Sequence, residues 1–300
     1  MKIFSKLPKR LFSFGCSFTN YAWSMWPEII AYDLEIPLYN YGRSGSGNQF
    51  IANCITQANA KYKFNEDDLI IICWTNICRE DRWIRGDWKT PGNLYTQEQY
   101  DQKWIKKYID PLGLLIRDLS SIHLINNYLK SVKCQYHFLS MLDIVKSSDQ
   151  WNNDVDFKSF KKLDPDSGQD LDVLDTLLGY YKNDIDQIKK SFYEVLWNND
   201  IANKLDNEWR KFNGNFHDGH PWPTESLKYL SAVFSDHNFK KSTVDKVIDS
   251  ENKIINEINN YFLNNKVRFK PLSIWGFNKK VFDRIISDYA IKKYHSPFVI

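Results

Sequence analysis

Leu11-Phe12-Ser13-Phe14-Gly15-Cys16-Ser17 is the stretch on which the fold turns. Residues 11–14 form a short apolar run suited to a buried strand, and they pass straight into a turn of small residues that ends on a serine. A helix is expected next, over residues 21–33. Strand, tight turn and helix in that order leave the Ser17 hydroxyl exposed, where a helix N-terminus favours developing negative charge.

The same alternation continues along the chain. A second strand is expected around residues 36–41, ending in Gly42-Arg43-Ser44-Gly45-Ser46-Gly47, with a helix over residues 48–62. Asp68-Leu69-Ile70-Ile71-Ile72-Cys73-Trp74 is nearly unbroken apolar sequence, as in a central parallel strand buried on both faces. It runs into Thr75-Asn76. A helix over residues 109–131 leads to a further aromatic and aliphatic strand over 135–145. Strands alternating with helices predict an α/β fold, a three-layer α/β/α sandwich on a mostly parallel sheet. Residues 146–212 change to Asp, Asn, Lys and scattered aromatics and read as a helical insertion or lid, or as a solvated loop with short helices. A helix capped by Thr224 follows, and residues 236–300 read as a helical C-terminal extension on a core of 1–145 and 213–235.

Composition narrows the function classes. With 40 basic and 37 acidic side chains intermixed and a net charge of +3, there is no basic stripe for nucleic acid. Long apolar runs are all broken by charge, so no membrane span is expected. The basic residues before Leu11 resemble a leader, but the apolar segment is short and serves better as a first strand. Five cysteines, odd in number and without a CxxC pair, argue against a disulfide framework or zinc site. The expected setting is therefore the cytoplasm or another reducing compartment, with no metal and no cofactor.

Four short segments at strand ends carry residues suited to acyl transfer, and in an open parallel sheet those ends converge on one edge. Phe12-Ser13-Phe14-Gly15-Cys16-Ser17-Phe18-Thr19-Asn20 resembles the first block of the SGNH, or GDSL-like, hydrolase family, with Cys16 where the family usually has Asp. Asn40-Tyr41-Gly42-Arg43-Ser44-Gly45 resembles its second block, Cys73-Trp74-Thr75-Asn76 its third, and His217-Asp218-Gly219-His220-Pro221 its last. The resemblance implies Ser17 as nucleophile, His220 as general base, Asp218 as the group that orients the imidazole, and Gly45 N–H with the Asn76 amide as oxyanion donors. The third block lacks its leading Gly and trailing Asp. Asp218 also stands two residues before His220, whereas the family spaces these as Asp-x-x-His. A metal-free serine esterase is implied, removing small acyl groups, O-acetyl above all, from a glycan or other small ester.

Other readings stand beside this one. Asn76 is equally suited to capping a helix, His217 is the alternative base if the loop register differs, and Cys16 is a minor candidate nucleophile. Arg79 is a candidate ligand for an anionic substrate group or part of a solvated helix start. Trp83, Trp88, Trp104, Trp151 and Trp222 are candidates for a sugar-stacking rim. An acyltransferase using the same acyl-enzyme, and an inactive binding or structural scaffold such as a virion or surface component, are the rival functions. Oligomeric state is not specified by the sequence.

Overall fold

The computed structural model describes residues 3–95, 100–144, 173–212 and 218–265. Four parallel strands form the sheet in the order β2-β1-β3-β6, with β1 at Arg10–Gly15, β2 at Leu38–Gly42, β3 at Asp68–Trp74 and β6 at Gln135–Ser140. Register is tight: Phe12 pairs with Tyr39 on one side and Ile70 on the other. All seven residues of β3 are buried, as its apolar run predicts for a strand covered on both faces. A single parallel bridge from Phe138 to Ile188 extends the sheet beyond β6, where Lys189 N donates to Phe138 O at 2.9 Å.

Side chains alternate between two apolar layers because successive strand residues face opposite ways. Phe12, Phe14, Ile70, Ile72 and Phe138 pack against α2 (Asn48–Tyr62) and α4 (Pro111–Val132). Leu11, Leu38, Leu69, Ile71 and Leu139 pack against α1 (Trp26–Leu34), α7 (Phe192–Trp197), α9 (Pro223–Val233) and α10 (Lys241–Asn265). Helix, sheet and helix make the three-layer α/β/α sandwich. Between β6 and α7 lie the short helices α5 (Leu174–Tyr180) and α6 (Lys182–Ile185), and α8 (Ile201–Lys211) follows α7. No helix among the described residues is long and apolar enough to cross a membrane.

Several local expectations are corrected. α1 starts at Trp26 rather than residue 21, because Pro27 suits the first helical turn and Glu28 accepts the Met25 N–H at 3.0 Å. The preceding residues form a loop whose Tyr21, Trp23 and Met25 join a third buried cluster with Phe212, Trp222 and Ile254. α9 is capped by Glu225, which accepts the Trp222 N–H at 2.8 Å, while Thr224 donates to Glu251 of α10 from both N and Oγ1. The segment after Arg79 is no helix start. It enters a hairpin of β4 (Arg82–Ile84) and β5 (Asp87–Lys89), turned by Arg85 and Gly86 at φ 53° and 80°, the paired positive φ of a two-residue hairpin loop. The chain then reaches α3 (Gln102–Tyr108).

α10 is tied to the core at Asp33, near the end of α1. Buried Asp33 accepts from Thr243 Oγ1 at 2.7 Å and Lys240 N at 2.8 Å, and lies 2.9 Å from His237 Nε2. Asp33→Ala leaves buried donors unmet and is expected to cost about 1–3 kcal/mol. The urea midpoint should fall with the m-value unchanged, and an unmoved midpoint would mean that the apolar face alone holds α10.

Candidate active site

The C-terminal edge of the sheet gathers the loops that the sequence singles out. β1 leaves the sheet at Gly15, where a Cβ would lie 2.1 Å from Thr19 Oγ1 and 3.0 Å from Cys73 O, so a larger residue does not fit. The chain turns at once, Thr19 N and Asn20 N both donating to Cys16 O at 2.9 and 3.2 Å. Ser17 therefore stands on a turn well ahead of α1, and the helix terminus expected beside it lies elsewhere. Cys16 points into the core, its Sγ 3.7 Å from Met141 Sδ. The five cysteines are all buried, and none is in a disulfide.

Ser17 is 6% exposed, and its Oγ lies 2.9 Å from His220 Nε2. His220 Nδ1 lies 2.6 Å from Asp218 Oδ1, and the same oxygen accepts His220 N at 2.9 Å. A Nδ1–H donated to the carboxylate leaves Nε2 as an acceptor facing the serine hydroxyl. The two-residue spacing is thus accommodated by a local ring: one carboxylate oxygen holds both the backbone and the imidazole of the residue two places on. His217 lies outside the described residues.

Two neighbours that the sequence reading missed complete the arrangement. Tyr21 donates its hydroxyl to Asp218 Oδ2 at 2.6 Å, and its ring stacks on the imidazole with centroids 3.6 Å apart and planes at 19°. Glu208 of α8 accepts from Asp218 N and Trp222 Nε1, both at 2.5 Å, and from Lys204 Nζ at 2.5 Å. Lys204 also donates to Glu225 at 2.8 Å, so the pair clamps both ends of the loop that carries His220. Nothing in sequence spacing links Glu208 to Asp218. Tyr21 carried a signal only as an aromatic close after the serine.

The expected oxyanion residues occupy the same edge. Arg43 N and Ser46 Oγ both donate to Gly15 O at 3.0 Å, tying the loop after β2 to the exit of β1. Gly45 within that loop has φ 73°, and a Cβ there would fall 2.3 Å from Thr90 O, so the position demands glycine on both counts. Asn76 stands in the turn after β3, where its Oδ1 accepts Cys78 N at 2.6 Å. It caps no helix. The tryptophans do not form one rim: Trp83 and Trp88 meet edge-on across the hairpin, Trp104 stacks on Tyr100, Trp222 is buried against Trp23 with centroids 4.3 Å apart, and Trp151 lies outside the described residues.

Burial alone would raise the Asp218 carboxyl. Hydrogen bonding and charge from His220, with the Tyr21 hydroxyl, outweigh it and hold the group below the usual carboxylate range. A carboxylate held low stabilises the folded chain above its ordinary range, and that contribution is lost as pH falls through the lowered value. Tyr21→Phe is expected to move the Asp218 titration upward by carboxyl-carbon NMR; an unmoved titration would show that the hydroxyl contributes nothing. Glu208→Ala leaves Lys204 with Glu225 alone and the Asp218 N and Trp222 Nε1 donors unmet, and is expected to cost about 1–3 kcal/mol in chemical denaturation.

No protein-family model matches the chain, and no curated protein does. Among solved structures it is similar to a protein from Desulfitobacterium hafniense DCB-2 and one from Veillonella parvula DSM 2008, both described under the lipolytic G-D-S-L family. The first is 14% identical, with 76% of this chain and 98% of that chain covered and a TM-score of 0.37. The second is 16% identical, with 76% and 99% covered and a TM-score of 0.37.

Proposed function

We propose that the chain is a serine ester hydrolase in which Ser17 is the nucleophile, His220 the general base and Asp218 the group that orients the imidazole. The observation that carries this reading is the continuous hydrogen-bond path from Ser17 Oγ through both nitrogens of His220 to a buried carboxylate. Ser17 Oγ bonds to the ester carbonyl carbon as its proton passes to His220 Nε2. The carbonyl electron pair moves onto oxygen, and its return expels the alcohol, which leaves with that proton. Water then attacks the acyl-serine through the same base, releasing the acid. An acceptor alcohol in place of water would make the same site a transferase.

The inactive-scaffold reading rests on the departures at Cys16, in the third block and in the Asp-to-His spacing. The short Asp218-to-His220 interval is compensated by the shared carboxylate oxygen, which favours a working relay. Ser17 is nearly covered, and Phe18 beside it packs on Tyr193 and His220. That crowding favours a small acyl group such as acetyl, and an O-acetylated glycan is the substrate class proposed.

p-Nitrophenyl acetate and butyrate, hydrolysed by wild type, Ser17→Ala and His220→Ala side by side, test this. Each substitution is expected to lower kcat at least about 10⁴-fold, with acetate preferred over butyrate. Asp218→Asn is expected to lose about 10²- to 10⁴-fold by favouring the wrong tautomer. Wild-type rates no higher than those of Ser17→Ala would sink the proposal.

A further inference from the structure

Arg79 emerges from the turn after β3 and crosses the C-terminal edge of the sheet. Its Nη1 donates to Ser46 O, in the loop after β2, at 2.8 Å. Its Nη2 lies 3.7 Å from Met141 Sδ, just past the end of β6. That sulfur is also 3.7 Å from Cys16 Sγ and from Thr75 Oγ1. β2 and β6 are the outer strands of the order β2-β1-β3-β6. A guanidinium touching the chain beyond both must lie over the ends of β1 and β3, where Ser17 leaves β1.

It is also unusual among the neighbouring arginines in making no direct ion pair. Arg10 pairs with Asp68, Arg43 with Asp87, and Arg117 with both Glu80 and Asp118. Arg79 forms no ion pair with a carboxylate among the described residues, and its Nε is buried without a hydrogen-bond partner. Asp81 acts on it only at longer range, and a half-buried cation with no carboxylate in direct contact is suited to a site where negative charge arises. The nearby Asn76 side chain, meanwhile, has its oxygen held by Cys78 N.

We propose that Arg79, rather than Asn76, is the side-chain donor to the anionic oxygen formed when Ser17 attacks the ester, beside the backbone N–H groups of Ser17 and Gly45. The inference rests on the serine-hydrolase reading. The guanidinium keeps its proton throughout: it donates hydrogen bonds to the oxygen that receives the carbonyl electron pair, while the Ser17 proton goes to His220. A guanidinium gives that oxygen a full positive charge and a charge-assisted hydrogen bond, which a neutral amide does not.

Steady-state hydrolysis of p-nitrophenyl acetate by wild type, Arg79→Ala, Arg79→Lys, Asn76→Ala and Ser17→Ala decides the matter, with circular dichroism to confirm folding. Arg79→Ala is expected to lower kcat about 10²- to 10³-fold with KM little changed. Arg79→Lys should retain part of the rate, and free guanidinium at millimolar concentration should restore part of it to Arg79→Ala. Asn76→Ala should lose far less. A folded Arg79→Ala enzyme with wild-type kcat, a loss confined to KM, or a kcat loss that guanidinium and lysine both fail to restore would overturn the assignment and leave Ser17 chemistry standing. Wild-type turnover equal to that of Ser17→Ala would overturn both readings together.

Discussion

Everything at the site depends on parallel pairing of β1 between β2 and β3. Parallel strands present their carboxyl ends on one edge, so three loops separated by dozens of residues meet there without any of them being long. The pairing is in turn secured by burial. With every residue of β3 covered, a slip of one position would exchange its two faces, moving the Ile70, Ile72 and Trp74 set out of the layer it fills. The core that stabilises the sheet is thus the same feature that fixes Gly15, the loop after β2 and the turn after β3 in mutual position.

His220 reaches that edge by a different kind of support. The described part of its loop, residues 218–222, follows the strands in sequence, lies in none of them, and is held by helices and aromatic rings. Glu208 fixes Asp218 and Trp222, Glu225 closes the Trp222 N–H, Glu251 holds Thr224, and Trp23 Nε1 donates to Pro221 O at 2.7 Å. Through these bonds α8 and α10, outside the alternating strand and helix pattern, bear on the position of one imidazole. Among the described residues, many of the aromatic side chains lie here and in the two core layers.

What could be read from sequence was local. β3 shows itself by an unbroken apolar run, and its bounds in the structure are those of that run. Gly15 and Ser17 lie where strand and turn chemistry meet, and His220 follows an Asp ahead of a helix. What escaped depends on contacts between distant residues or on backbone angles. The Arg85-Gly86 turn needed paired positive φ values to be recognised, since Arg is an ordinary residue to find on a helix. Tyr21 and Glu208 reach Asp218 across 197 and 10 positions, and neither separation has a periodic signature. Thr224 looked like a cap because its type suits one, but Glu251, on a helix further along the chain, had the stronger claim on its hydroxyl.

The ring formed by Asp218, Gly219 and His220 has a mechanical consequence. Carboxylate and imidazole sit on the same three residues and share two bonds through one oxygen, so a shift of the loop carries them together and leaves their relation intact. In an arrangement whose acid and base come from separate elements, each displacement disturbs two distances. Here a single coordinate, the gap between Nε2 and the serine oxygen, separates a closed relay from an open one, and the helices that grip the loop set its value.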